Sequence, residues 1–226
     1  MQIQTSKTNH SFLSYVKDPG SAITHFIGML MALFALFPLI GKASSGMNHK
    51  HIGAFLIFII TMILLYSAST IYHTFDLSEE KNVLLKKLDH SMIFIMIAGS
   101  YTPICMIVLQ RPIGNILLSI VWSIAIIGII LKLFFIHTPK WVSSVIYIAM
   151  GWTCILAFHP IYYGLTSMQF GFLLAGGIIY TVGGVIYALK LPIFNSRHKN
   201  FGSHEIFHIF VMAGSVCHFL LVYSLA

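Results

Sequence analysis

Seven successive runs of mostly apolar residues, each about twenty long, dominate this chain: Ala22–Ile40, Ile52–Thr74, Leu88–Leu109, Ile113–Leu131, Val142–Phe158, Phe170–Leu189 and Phe201–Leu225. A helix of that length crosses the hydrocarbon of a bilayer. There the backbone must satisfy its own hydrogen bonds, so each run is expected to be helical. Composition agrees: 13 basic and 6 acidic side chains among 226 residues are far below the roughly one quarter charged of a soluble domain. Disordered, collagen-like and coiled-coil classes are excluded on the same ground. The expectation is an all-α membrane protein, a single seven-transmembrane-helix bundle over residues 1–226. Residues 1–20 form a polar N-terminal segment that lacks the apolar stretch of a cleavable signal.

Connections are short and carry turn residues, as at Gly41–Gly46, Arg111-Pro112 and Thr138-Pro139; Asp76–Lys87 reads as the longest loop. Pro103 predicts a kink within the third span. Counting Lys and Arg by alternate connections gives ten on the side of the N-terminus and three on the other. The positive-inside rule then places the N-terminus in the cytoplasm and the C-terminus outside, in a multi-pass protein of the cell membrane. The net charge of +7 is scattered singly or in pairs, so the expected partners are membrane lipids and not nucleic acid. Cys105, Cys154 and Cys217 all fall in apolar runs and offer no disulfide framework. Gly176-Gly177 and Gly183-Gly184 permit close helix approach in the sixth span, inside the bundle or between protomers.

Polar groups at membrane depth are costly and therefore informative. Of the twelve histidines, His10, His49, His51, His137 and His198 read as loop residues. His159 marks the end of the fifth span, and His218, within the last, is expected to hydrogen-bond a neighbouring helix. His73, with Ser69 four residues earlier, ends the second span, Asp89 opens the third, and His204 and His208 open the seventh. Spacing of i,i+4 puts each pair on one helical face, and the alternation of spans puts all five residues in one layer. Three imidazoles on rigid helices suit zinc with an open fourth position for water, with Asp89 as a base beside it. Spacing alone leaves that reading level with one of interfacial histidines satisfied by backbone and headgroups.

The motifs go further. Ser21-Ala22-Ile23-Thr24-His25, Ser69-x-x-x-His73, Leu88-Asp89-His90-Ser91, Ala98-Gly99-Ser100-Tyr101-Thr102-Pro103 and Ser203-His204-Glu205-Ile206-Phe207-His208 together resemble the hemolysin III proteins. These are the bacterial branch of the progestin and adipoQ receptor (PAQR) family, which includes the adiponectin receptors. The resemblance covers nearly the whole chain. It implies a seven-helix fold with a cytoplasm-facing zinc site whose ligands are His73, His204 and His208. Asp89 would hold a water on the metal and act as general base, and Ser69 would be a partner of that water or of an oxyanion. His25 and Tyr101 would support the site from behind the ligands. Where the family usually has a glutamate ahead of the first span, this chain has Asp18. Glu205, about 100° around the helix from His204, reads as a solvated or headgroup-facing residue.

Such a site implies a zinc-dependent hydrolase of a lipid amide or ester, ceramidase-like as some PAQR proteins are. The alternative is a non-enzymatic regulator or sensor of membrane lipid state or energetics with structural zinc. A pore-forming cytolysin ranks last, because no secretory signal or polar lumen-like stripe runs through the spans.

Overall fold

The computed structural model describes residues 16–45, 49–189 and 202–226. Seven helical spans, each long and apolar enough to cross a membrane, follow in order. They are α1 (Pro19–Ser44), α2 (His49–Thr74), α3 (Glu79–Pro103), α4 (Ile113–Phe134), α5 (Lys140–Gly151), α6 (Ser167–Leu189) and α7 (Ser203–Leu225). A π-helical turn, Ile104–Val108, prolongs α3, and a 3-10 stretch, Trp152–Ala157, followed by helical Phe158–Gly164, prolongs α5. No strand occurs among the described residues.

All seven expected spans are present, with corrected ends. Asp76–Lys87 is not a loop: α3 begins at Glu79, so Asp89 lies ten residues into the helix instead of opening it. Glu79 and Glu80 in its first turn favour the positive end of the helix dipole, which carries the helix outward past its apolar portion. The expected turn at Gly41–Gly46 yields four residues to α1, which continues to Ser44. Lys132, counted as a connection residue, is buried in the last turn of α4, and its Nζ donates to Ser143 Oγ at 2.5 Å. His49 and His51 sit in the first turn of α2 rather than in a loop. Pro103 closes the regular part of α3 and the π-helical turn takes over, consistent with the loss of a backbone donor at proline. His10, His198, Lys7, Lys190, Arg197 and Lys199 lie outside the described residues.

Packing runs in a ring. Helix α1 packs on α2, α2 on α3, α3 on α5, α5 on α6, α6 on α7 and α7 back on α1, while α4 lies outside against α3. Small residues allow the close crossings. A Cβ on Gly99 of α3 would run into the Thr61 side chain of α2, and one on Gly128 of α4 into the ring of Phe94. The glycines of α6 are also used within the bundle: Gly176 faces His218 and Gly183 faces Phe210, both on α7, whereas Gly184 faces Ile148 of α5. Outward faces are apolar, as with Phe34 and Phe37 on α1 and Ile126 and Ile127 on α4, all more than half exposed. That is the surface a hydrocarbon solvent requires. Gly99→Ala is expected to cost about 1–3 kcal/mol through overpacking, read as a lower melting temperature of the purified protein in detergent.

The ring encloses a cavity of about 190 Å³ lined by residues of α1, α2, α3, α5, α6 and α7. On α7 its wall extends from His204 to His218, a helical rise of about 21 Å. So small a volume over that length makes it a slot rather than a chamber. Leu65, Met96, Ile97, Leu173 and Val211 are among its apolar walls.

Candidate metal centre

Three imidazoles converge where α2 meets α7, and two of them, His204 and His208, line the slot. His73 stands in the last turn of α2, and His204 and His208 stand one turn apart at the start of α7. Each offers one ring nitrogen, and the three lie within 4.8 Å of one another, a group able to hold a metal ion. The Nε2 atoms of His73 and His204 are 3.2 Å apart. Metal–nitrogen bonds of about 2.0–2.1 Å in a tetrahedron leave ligand nitrogens roughly 3.3 Å apart, so this pair already stands at the spacing a shared cation demands. His73 and His208 are almost fully buried.

The outer nitrogens define the tautomers. Asp18 Oδ2 lies 2.9 Å from His73 Nδ1 and accepts its proton, which leaves the Nε2 lone pair facing inward. His208 Nδ1 lies 3.3 Å from both the Ser21 carbonyl oxygen and Thr24 Oγ1, and the same logic turns its Nε2 inward. A carboxylate or carbonyl behind each imidazole is the arrangement that orients histidines and raises their basicity toward metals. The hydrogen bond from His73 holds the Asp18 carboxyl below its usual range, against a smaller opposing effect of burial. Sequence reasoning noted Asp18 only as a departure from the family glutamate. The shorter side chain still reaches His73, because the backbone brings it there. Lys17 and Asp18 donate their N–H groups to the carbonyls of Thr74 and His73 at 3.2 and 2.9 Å, which ties the entry to α1 onto the C-terminal carbonyls of α2.

The remaining expected residues divide. Ser69 sits one turn before His73 and is fully buried, and its Oγ has no hydrogen-bond partner among the described residues. Asp89 is buried and lines the same slot, with Oδ2 3.5 Å from Nδ1 of His90. His25 braces the ligands: its ring stacks flat on His208, with centroids 3.6 Å apart and planes 7° apart, and meets the edge of Tyr66 at 5.1 Å. Both ring nitrogens of His25 are buried without partners among the described residues. Tyr101 is not brought to the imidazoles. It lies twelve residues beyond Asp89 on α3, about 18 Å along the helix. Its hydroxyl donates to the Gly151 carbonyl at 2.6 Å and accepts the Cys154 N–H at 2.8 Å, which secures the 3-10 break after α5.

Two further expectations are corrected. Glu205 is no solvated residue. It accepts hydrogen bonds from Ser21 Oγ at 2.6 Å and from the Gly202 N–H at 2.7 Å, so it caps α7 and fastens it to α1. His218 makes no hydrogen bond to a neighbouring helix among the described residues. Its ring lies over Gly176 and stacks on Tyr180 at 5.3 Å.

The donor set fits a divalent ion. Imidazoles suit zinc and other late first-row metals, and three of them leave an open position; the Ser69 hydroxyl and the Asp89 carboxylate line the same slot as His204 and His208. His204 Nδ1 is buried without a partner among the described residues. Fold and site together define a seven-helix membrane protein with a three-histidine centre beside an internal slot.

Comparison with known proteins gives the family. The Haemolysin-III related family model matches residues 13–219. The chain is 40% identical to Hemolysin-3 of Bacillus cereus over 92% of its own length and 91% of the relative's. It is 39% identical to a Hemolysin-3 homolog of Bacillus subtilis over 91% and 92%. A weaker similarity, 26%, extends over 89% of this chain and 49% of the adiponectin receptor protein of Drosophila melanogaster. The chain belongs to the hemolysin III family and is a multi-pass membrane protein.

Proposed function

We propose that this protein is a zinc-dependent hydrolase of a membrane-lipid amide or ester, ceramidase-like, with the histidine end of the bundle facing the cytoplasm. The observation that carries the reading is a group of three imidazoles able to hold a metal ion, two of which, His204 and His208, share the lining of an apolar slot with Asp89 and Ser69. Zinc, when bound, supplies a Lewis acid for a carbonyl group and acidity for a neighbouring water.

The chain's own residues account for the rest. Asp89 takes the proton of the attacking water and delivers it to the leaving amine or alcohol. Ser69, whose hydroxyl has no partner among the described residues, donates to the carbonyl oxygen as negative charge develops there. The apolar walls exclude bulk water and hold the acyl chain. The slot's lining reaches about 21 Å along α7, more than the roughly 15 Å of one leaflet's hydrocarbon, so its long dimension matches that of an acyl chain. A soluble substrate would gain nothing from such a lining, whereas a lipid enters from the surrounding bilayer.

The test is incubation of the purified protein with bacterial lipid extract while free fatty acid is followed. Release that depends on the bound metal supports the reading. Metal-loaded protein with no release from any lipid overturns it in favour of a sensor that uses the ion as a clamp between α2 and α7. The name of the Bacillus relatives raises membrane lysis as a further reading. Dye leakage from liposomes at low protein density would support lysis, and intact liposomes would count against it.

A further inference from the structure

Deep in the slot lies a second polar cluster that the metal centre does not use. Tyr66 on α2 donates to Ser215 Oγ on α7 at 2.7 Å, and Tyr180 on α6 lies 2.9 Å from the same oxygen. Three hydroxyls carry three hydrogens, and these two contacts use two of them. Among the described residues no third acceptor is present, so one O–H remains to be donated. Of the three residues only Tyr180 lines the cavity. Against Tyr180 stacks His218, which also lines the cavity, is 8% exposed and has no hydrogen-bond partner among the described residues. A neutral imidazole offers one donor and one acceptor. A buried polar ring without a partner is costly, and more so at membrane depth.

We propose that Tyr180 and His218 form a recognition point for a hydroxyl group in the distal half of a lipid chain whose polar end lies at the metal centre. A hydroxyl both donates and accepts, which matches the spare O–H of the tyrosine cluster and the nitrogen of His218. Placement follows from α7: His218 is ten residues beyond His208, about 15 Å along the axis. Ser215 and His218 lie on the α7 face that carries His204 and His208, since seven residues make nearly two full turns. The hydroxyls of Ser100, Tyr147 and Thr181, which also line the slot, each donate to a backbone carbonyl, so a second polar group on a bound chain finds its unsatisfied partner at Tyr180 and His218. The inference takes from the proposed function only that an acyl chain occupies the slot.

The experiment is equilibrium binding of radiolabelled long-chain fatty acids to the purified, metal-loaded protein in detergent. One acid carries a hydroxyl in the distal half of its chain, one carries it beside the carboxyl group, and one carries none. The wild type is expected to prefer the distal hydroxyl about tenfold over the other two, equivalent to about 1.4 kcal/mol. Tyr180→Phe, which removes one oxygen atom, and His218→Phe are each expected to abolish the preference. Equal affinity of the wild type for all three acids, or a preference that survives Tyr180→Phe, overturns the proposal. If His218→Phe fails to fold, Tyr180→Phe decides alone. Because the assay reads binding, a lack of lipid hydrolysis leaves this inference standing, and a lack of hydroxyl preference leaves the metal-centre reading untouched.

Discussion

Purified His208→Ala protein is expected to lose its divalent ion, from about one per chain to almost none, when metal content is measured by mass spectrometry. His208 is the residue on which the centre depends most. It contributes one of three inward nitrogens, its outer nitrogen is fixed against the Ser21 carbonyl, and its ring is held flat against His25. Two imidazoles alone leave the ion half-coordinated by solvent in a buried site. Asp18→Asn gives a graded companion. It keeps the size of the side chain but removes the charge that accepts the His73 proton at 2.9 Å, and loss of such an orienting carboxylate weakens metal binding by about 10- to 100-fold. Full metal retention in both variants would defeat the assignment of these histidines as ligands. An ion held by these histidines would join α2 to α7, so its removal by a chelator is expected to lower the melting temperature, in proportion to the logarithm of metal concentration over its dissociation constant.

The other large effect concerns Asp89. Under the proposed hydrolysis, Asp89→Asn keeps the metal and lowers turnover by about 10²–10⁴, the range that a positioned base contributes. Ser69→Ala is expected to cost about 10², as for one donor to a developing oxyanion. Metal analysis of the Asp89→Asn protein separates the two roles. A variant that loses both ion and turnover would show Asp89 to be a ligand or a structural residue, and one that keeps both would remove it from the reaction.

The seven spans were legible because apolar length is a direct consequence of bilayer thickness. What the apolar runs could not show is helix that continues beyond hydrocarbon. Glu79 to Lys87 is charged, yet it belongs to α3 because a helix, once nucleated inside the membrane, extends into water at little cost. The break after Gly151 was equally hidden, since it depends on the hydroxyl of Tyr101 meeting the α5 backbone across the bundle.

The candidate site was readable for a topological reason. Alternating spans place the end of α2 and the start of α7 at one end of the bundle, and i,i+4 spacing turns His204 and His208 to one face. Asp18 carried a weaker signal, a lone carboxylate just before the first span, and its partner is fixed only by the backbone bonds of residues 17 and 18 to the end of α2. His218 looked like a residue with an ordinary partner. The close approach of Gly176 and the stack on Tyr180 arise from helix packing that no spacing rule encodes. Glu205 was misplaced for a similar reason: its orientation around the helix was right, but α1 occupies that side and supplies Ser21.

The central claim, that one divalent ion is held by three imidazoles from α2 and α7, is tested most directly by X-ray absorption at the zinc edge of the purified protein. Three imidazole nitrogens at about 2.0–2.1 Å with one oxygen ligand are expected, with loss of one imidazole contribution in any residual metal of the His73→Ala variant. Sulfur ligands, or a coordination sphere unchanged by that substitution, would contradict it.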